Sequence, residues 1–221
     1  MRRELERRIF RIVSICVSSL VIVTLFLRVI LFPVCQKSVS MEPAVMPGSF
    51  VLVSPLIKTP SRGEIVLIKP LSGEKTSFLF HIFDDVAAFF TGQQIFPFSS
   101  GPDMSRNFQL RRVVAVPGDT LYMTDYVVYV RPAGQTHYLT EFEYAHSAYP
   151  VTIQTTPSGW DKDLGVKASF PEMTLGENEY FVLGDNRNSS IDSRIWGPIK
   201  ASKIKGKALV QYFPFSRFKT F

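Results

Sequence analysis

The chain has 221 residues, 46% of them hydrophobic and 20% charged, with a net charge of +6. That length admits one membrane anchor and one sizeable folded domain, and two cysteines without ligand-like spacing, Cys16 and Cys35, exclude a disulfide framework and argue against a metal centre. The basic residues are scattered and accompany no nucleic-acid motif, so the charge implies anionic lipid headgroups rather than nucleic acid.

From Ile12 to Leu27 no charged residue occurs, and past Arg28 the apolar character continues through Val29, Ile30, Leu31 and Phe32. As a helix, such a run of about 20 residues covers a hydrocarbon layer of roughly 30 Å. The sequence therefore predicts a transmembrane anchor over residues 12–32, after a basic N-terminus at 1–11 and before a folded domain at 33–221. Arg28 lies about one turn from the far end, where its stem can carry the guanidinium to the headgroups. Pro33 stops the helix. Arg2, Arg3, Arg7, Arg8 and Arg11 hold the N-terminus on the cytoplasmic side and place the rest of the chain opposite. A cleaved secretory leader is the main competing reading, opposed by the length of the run and the lack of a small-x-small site after it. A buried core helix is the other.

Beyond the anchor, the segments 49–53, 64–68, 110–116, 126–130, 180–183 and 207–213 are short and rich in Val, Ile, Tyr and Phe. Turn signals such as Met46-Pro47-Gly48, Arg62-Gly63-Glu64 and Pro117-Gly118-Asp119 flank them. The predicted fold class is mainly β. One helix is expected over 77–90, either packed on the sheet or lying in the membrane interface. The Phe-rich run 213–221 is read in the same two ways, as lipid contact or as completion of the core. Residues 131–178 read as an insertion or small subdomain between core strands, and His137, His146 and Trp160 within it receive no role.

Ser40 follows the anchor in Ser38-Val39-Ser40-Met41-Glu42-Pro43, where Pro43 and Pro47-Gly48 make the backbone irregular. A nucleophile needs such exposure on a rigid turn. Ser38, two residues earlier, points to the same side of an extended stretch, and with the Ser40 amide it can donate to charge developing on a carbonyl oxygen. These residues, with Gly63-Glu64-Ile65-Val66, Arg112-Val113-Val114-Ala115-Val116-Pro117-Gly118-Asp119 and the run Gly184 to Arg194, resemble the motif boxes of type I signal peptidases, and with the anchor they cover the chain from end to end.

The resemblance implies a Ser/Lys dyad that removes N-terminal signal peptides after small residues, at sites of the A-x-A type. The substrates would be exported precursor proteins, cleaved at the outer face of a bacterial cytoplasmic membrane by a single-pass monomer that needs no cofactor. By position, Ser40 is the nucleophile, Ser38 serves the oxyanion, and Ser190 orients the base. Asp192 and Arg194 form a supporting ion pair, and Gly184 and Asp185 are structural. The family's lysine falls at Arg111. A lysine can be brought from about 10.4 to about 7 by burial, whereas an arginine stays a cation and cannot take the serine proton. Three explanations stand open: another base (Lys37, Lys69 or His81), a relative that binds precursors without efficient cleavage, or a shifted register at Arg111.

Overall fold

A computed structural model describes residues 2–69, 87, 89–92, 108–145, 148–154 and 166–221. It opens with helix α1, Arg2–Ile30. The helix starts in the basic segment, and Phe32 is already in strand β1, Phe32–Cys35, because its backbone pairs with Val53. Among the described residues no helix is long and apolar enough to cross a membrane, so the anchor predicted from composition is not shown.

The next strands are β2 (Phe50–Ser54), β3 (Ile65–Ile68) and β4 (Gln109–Ala115). They are followed by β5 (Thr120–Thr124), β6 (Val127–Arg131), β7 (Leu139–Thr140) and the short helix α2 (Glu141–Tyr144). Then come β8 (Phe170–Thr174), β9 (Glu179–Leu183), helix α3 (Ser193–Trp196), β10 (Ile199–Lys200), β11 (Ile204–Phe213) and β12 (Lys219–Thr220). All six segments read as strands from composition are strands, within a few residues at their ends. The helix expected at 77–90 falls largely outside the described residues, as do His81, His146 and Trp160.

The strands form two antiparallel sheets. The larger has the order β1-β2-β11-β3-β4-β9-β10 with β12 beside β11, and the smaller is β7-β6-β5-β8. The smaller sheet draws its central hairpin from β5 and β6, which end where the segment read as an insertion begins. That hairpin turns at Asp125 (φ 48°) and Tyr126 (φ 66°). Neither residue is a glycine: Asp125 is exposed and of a type that tolerates this region, and Tyr126 is held there by burial, being 7% exposed.

β3 is buried on both faces. Ile65 and Leu67 join Met41, Ala44, Val45, Val51 and Val53 in one core, while Val66 and Ile68 join Val113, Val182 and Ile199 in another. A third core, including Leu121, Val128, Phe181 and Leu183, seals the two sheets together. Ser40 thus sits on a turn whose next residues, Met41, Ala44 and Val45, are core residues of the larger sheet.

The sheets are also joined by a buried ion pair. Arg187 Nη1 and Nη2 donate to Glu141 Oε1 and Oε2, each at 2.5 Å, and both side chains are wholly inaccessible to solvent. Tyr149 donates to the same carboxylate at 2.6 Å, and Arg187 reaches the carbonyls of Tyr126 and Gly184. Removing one member of such a pair leaves an uncompensated buried charge. Glu141→Ala is therefore expected to lower the free energy of unfolding by about 3 to 5 kcal/mol, read from urea denaturation; a change below about 1 kcal/mol would show that Arg187 finds another partner.

Candidate active site

Strand β1 and the 3₁₀ turn Val39–Met41 present Ser40, which is only 3% exposed. Ser40 Oγ has three neighbours: Ser38 Oγ at 2.8 Å, Arg111 Nη1 at 3.0 Å and Gln36 Nε2 at 3.4 Å. The register at Arg111 is fixed by its neighbours. β4 pairs Arg111 with Val66 and Arg112 with Ile65, and the 117–119 turn closes with Gly118 at φ +83° and Val116 N donating to Asp119 Oδ2 at 2.9 Å. The arginine that sequence reasoning placed beside the serine is in hydrogen-bond contact with it.

Every N–H of Arg111 is donated. Nε and Nη2 reach the Ile191 carbonyl at 3.1 and 2.7 Å, Nη2 also reaches Gln109 Oε1 at 2.7 Å, and Nη1 reaches the Leu110 carbonyl at 2.6 Å in addition to Ser40. Burial pushes this guanidinium down to about 10, with Asp192 opposing the shift, which leaves it a cation at neutral pH. A protonated guanidinium donates and accepts nothing. Arg111 therefore donates to Ser40 Oγ but takes no proton from it. Lys37 is exposed, and Lys69 Nζ lies over the Phe108 ring at 5.4 Å from its centroid. Among the described residues neither lysine bonds to Ser40.

The loop from Gly184 to Arg194 closes the site. Asn186 N donates to the Ser40 carbonyl at 3.1 Å, and the loop approaches so closely that a Cβ on Gly184 would meet the Ser190 side chain and lie 2.6 Å from the Ser40 carbonyl oxygen. Only glycine fits there. Ser190 Oγ donates to Asp192 Oδ2 and accepts from Arg194 Nη2 at 2.9 Å. Ser190 was expected to orient the base, but its hydroxyl is engaged by Asp192 and Arg194, and Arg111 is oriented instead by the Ile191 carbonyl and Gln109.

Asp192 and Arg194 form the expected ion pair, with Nη2 and Oδ2 2.8 Å apart. Asp192 also accepts from Gly184 N at 3.0 Å. Burial alone would raise its carboxyl; hydrogen bonds and charge from Arg194 outweigh that and hold it below its ordinary value of 3.8. Asp185 binds Arg112 at 2.7 and 2.6 Å, and Arg112 in turn lies 4.0 Å from the Tyr149 ring centroid. Asp185 and Arg112 thus anchor the loop to β4.

Two side chains were missed by sequence reasoning, although the signal was present. Gln36 and Gln109 stand two residues before Ser38 and Arg111, the spacing that puts side chains on one face of an extended strand. Glu141, Arg187 and Tyr149 gave no comparable signal, because their meeting is set by the packing of the smaller sheet.

A family model described as signal peptidase, peptidase S26, matches residues 9–213. The chain belongs to this family. It is 28% identical over 201 residues to signal peptidase I of Aquifex aeolicus, covering 80% of this chain and 73% of that one. Over 110 residues it is 33% identical to signal peptidase IB of Staphylococcus aureus, covering 50% and 56%. With the probable signal peptidase I-1 of Synechocystis it shares 29% identity over 120 residues, 53% of this chain and 48% of that one. The chain thus spans about half the length of several curated relatives it matches. A crystal structure of a signal peptidase I from Enterococcus faecalis aligns with 68% of the chain at 18% identity and a TM-score of 0.35.

The Asp192 carboxyl stabilises the fold in its charged form, a contribution present above pH 3.8 and lost as pH falls below it. Asp192→Asn is expected to be less stable than the parent chain at pH 7, with the gap closing as pH is lowered towards 3; urea unfolding across that range measures it. A gap unchanged with pH would mean that the carboxylate charge is not what the loop uses.

Proposed function

We propose that this chain is a serine endopeptidase that removes N-terminal signal peptides from exported precursor proteins after small residues. Family membership supports the reaction class. The observation that carries the reading is the buried Ser40 hydroxyl held at 3.0 Å from a cationic Arg111 and backed by the Gly184 to Arg194 loop. In the proposed mechanism Ser40 Oγ attacks the scissile carbonyl, and the Ser38 hydroxyl with the Ser40 amide donates to the oxyanion. Arg111 occupies the place of the general base and acts by its charge alone. Asp192, Arg194, Asp185 and Gly184 hold the loop, and Ser190 completes their network. No cofactor enters the reaction.

The proposal includes attachment to the outer face of the bacterial cytoplasmic membrane, with secretory precursors and lipid as partners and a monomer as the working unit. It is supported by the apolar side chains that α1 exposes, among them Phe10 at 75%, Ile15 at 68% and Ile22 at 65%. If α1 attaches the protein, the chain expressed in bacteria stays with the membrane pellet through alkaline carbonate extraction; release into the supernatant would remove attachment from the proposal.

General-base assistance is worth about 10² to 10⁴ in rate, and a lysine can deprotonate at a buried site where an arginine does not. Detergent-solubilised chain incubated with a precursor carrying an Ala-x-Ala site is expected to cleave it slowly. Ser40→Ala should abolish cleavage, and Arg111→Lys should raise the rate at least about tenfold. Binding without turnover in both the parent and Arg111→Lys would favour a non-cleaving precursor-binding protein instead.

A further inference from the structure

We infer that Gln36, acting through Ser38, is a positioning residue that completes a donor-lined cradle around Ser40 Oγ, so that the serine is activated by stabilising its ionised oxygen rather than by a side-chain base. The inference deepens the proposed function and rests on Ser40 being the nucleophile.

Gln36 is 5% exposed and its backbone is fixed on both sides, N donating to the Ser49 carbonyl and O accepting from Gly48 N. Its Nε2 lies 2.8 Å from the Ser38 carbonyl oxygen and 3.1 Å from Ser38 Oγ. A carbonyl only accepts, so the end of the amide facing it must be the nitrogen. The two Nε2 hydrogens are then directed at Ser38 O and Ser38 Oγ. With one lone pair of Ser38 Oγ occupied by Gln36, the Ser38 hydrogen is available to Ser40 Oγ, 2.8 Å away.

Arg111 Nη1 donates to Ser40 Oγ from β4. Among the described residues, the groups around Ser40 Oγ are therefore one obligate donor, Arg111, one hydroxyl, Ser38, and the Gln36 amide nitrogen at 3.4 Å, with no carboxylate, imidazole or amine. Such surroundings favour the anionic over the neutral form of the oxygen. The proton leaves to solvent: hydroxide takes it and becomes water. The resulting Oγ anion forms a bond to the substrate carbonyl carbon, whose π electron pair moves onto its oxygen. The Ser38 hydrogen then follows the charge to that oxygen, which reconciles its two roles. Collapse of the tetrahedral species expels the leaving group with the bonding pair; an amine leaving group takes a proton from water, which regenerates the hydroxide consumed at the start.

The test uses acetylation of the full chain in detergent by 4-nitrophenyl acetate, a small activated ester, read as nitrophenolate release above a Ser40→Ala blank and as mass gain on the Ser40 peptide. In the parent chain the rate should climb about tenfold per pH unit between 6 and 9 with no plateau, the signature of hydroxide as the base. Gln36→Ala should react about tenfold more slowly with the same slope, and Gln36→Glu about a hundredfold more slowly because its carboxylate opposes the ionised oxygen; thermal unfolding confirms that each variant is folded. A plateau near neutral pH in the parent, equal rates in folded Gln36→Ala or Gln36→Glu, or no acetylation of Ser40 at any pH would overturn the inference, and the parent's own profile decides should a variant not fold. If Ser40 acetylates as described while an Ala-x-Ala precursor stays intact, the substrate assignment fails and the cradle stands.

Discussion

The site depends on how closely the loop after β9 lies against the serine turn. Asn186 N donates to the Ser40 carbonyl, and Gly184 passes so near that a single added carbon would strike both Ser190 and the backbone of residue 40. That contact brings the Ile191 carbonyl over Arg111 and ties the Ser40 turn to the ion-pair network of the loop. Loosening the contact would change the direction in which Arg111 points, even though the two residues are on different strands.

Electrostatics explains why the loop can be so polar and still buried. Arg112, Arg187 and Arg194 each face a carboxylate, respectively Asp185, Glu141 and Asp192, at hydrogen-bond distance. Arg111 differs, since it is satisfied by two carbonyls, an amide oxygen and the serine hydroxyl. Neutral acceptors leave its charge without a carboxylate at hydrogen-bond distance, and Asp192 and Asp185 act on it only from further away. Burial of an unpaired cation is costly, and full donation of its five N–H groups is the compensation visible here.

Much of this was legible in the chain. The six strand segments announced themselves through β-branched and aromatic residues between turn signals, and the position of Arg111 followed from the 117–119 turn. The hairpin at Asp125 and Tyr126 was not legible, because left-handed backbone at a tyrosine follows from its burial rather than from local preference. Strand β1 was hidden for a different reason: Phe32–Cys35 continues the apolar run of α1, and periodicity alone does not mark where helix gives way to strand. The partners of the Ser190 hydroxyl, Asp192 and Arg194, were not legible either, because a motif specifies which residues meet and not the direction of a hydroxyl.

The pieces around Ser40 are widely separated along the chain. Arg111 is 71 residues further on, and the loop that closes over the turn comes later still. Non-local pairings of this kind form late in folding, after the loop-closure entropy has been met. During synthesis, Ser40 leaves the ribosome long before the groups that come to surround it. A nascent copy therefore carries a Ser40 hydroxyl without Arg111 and the later loop beside it, and that polar enclosure exists only once the domain has closed.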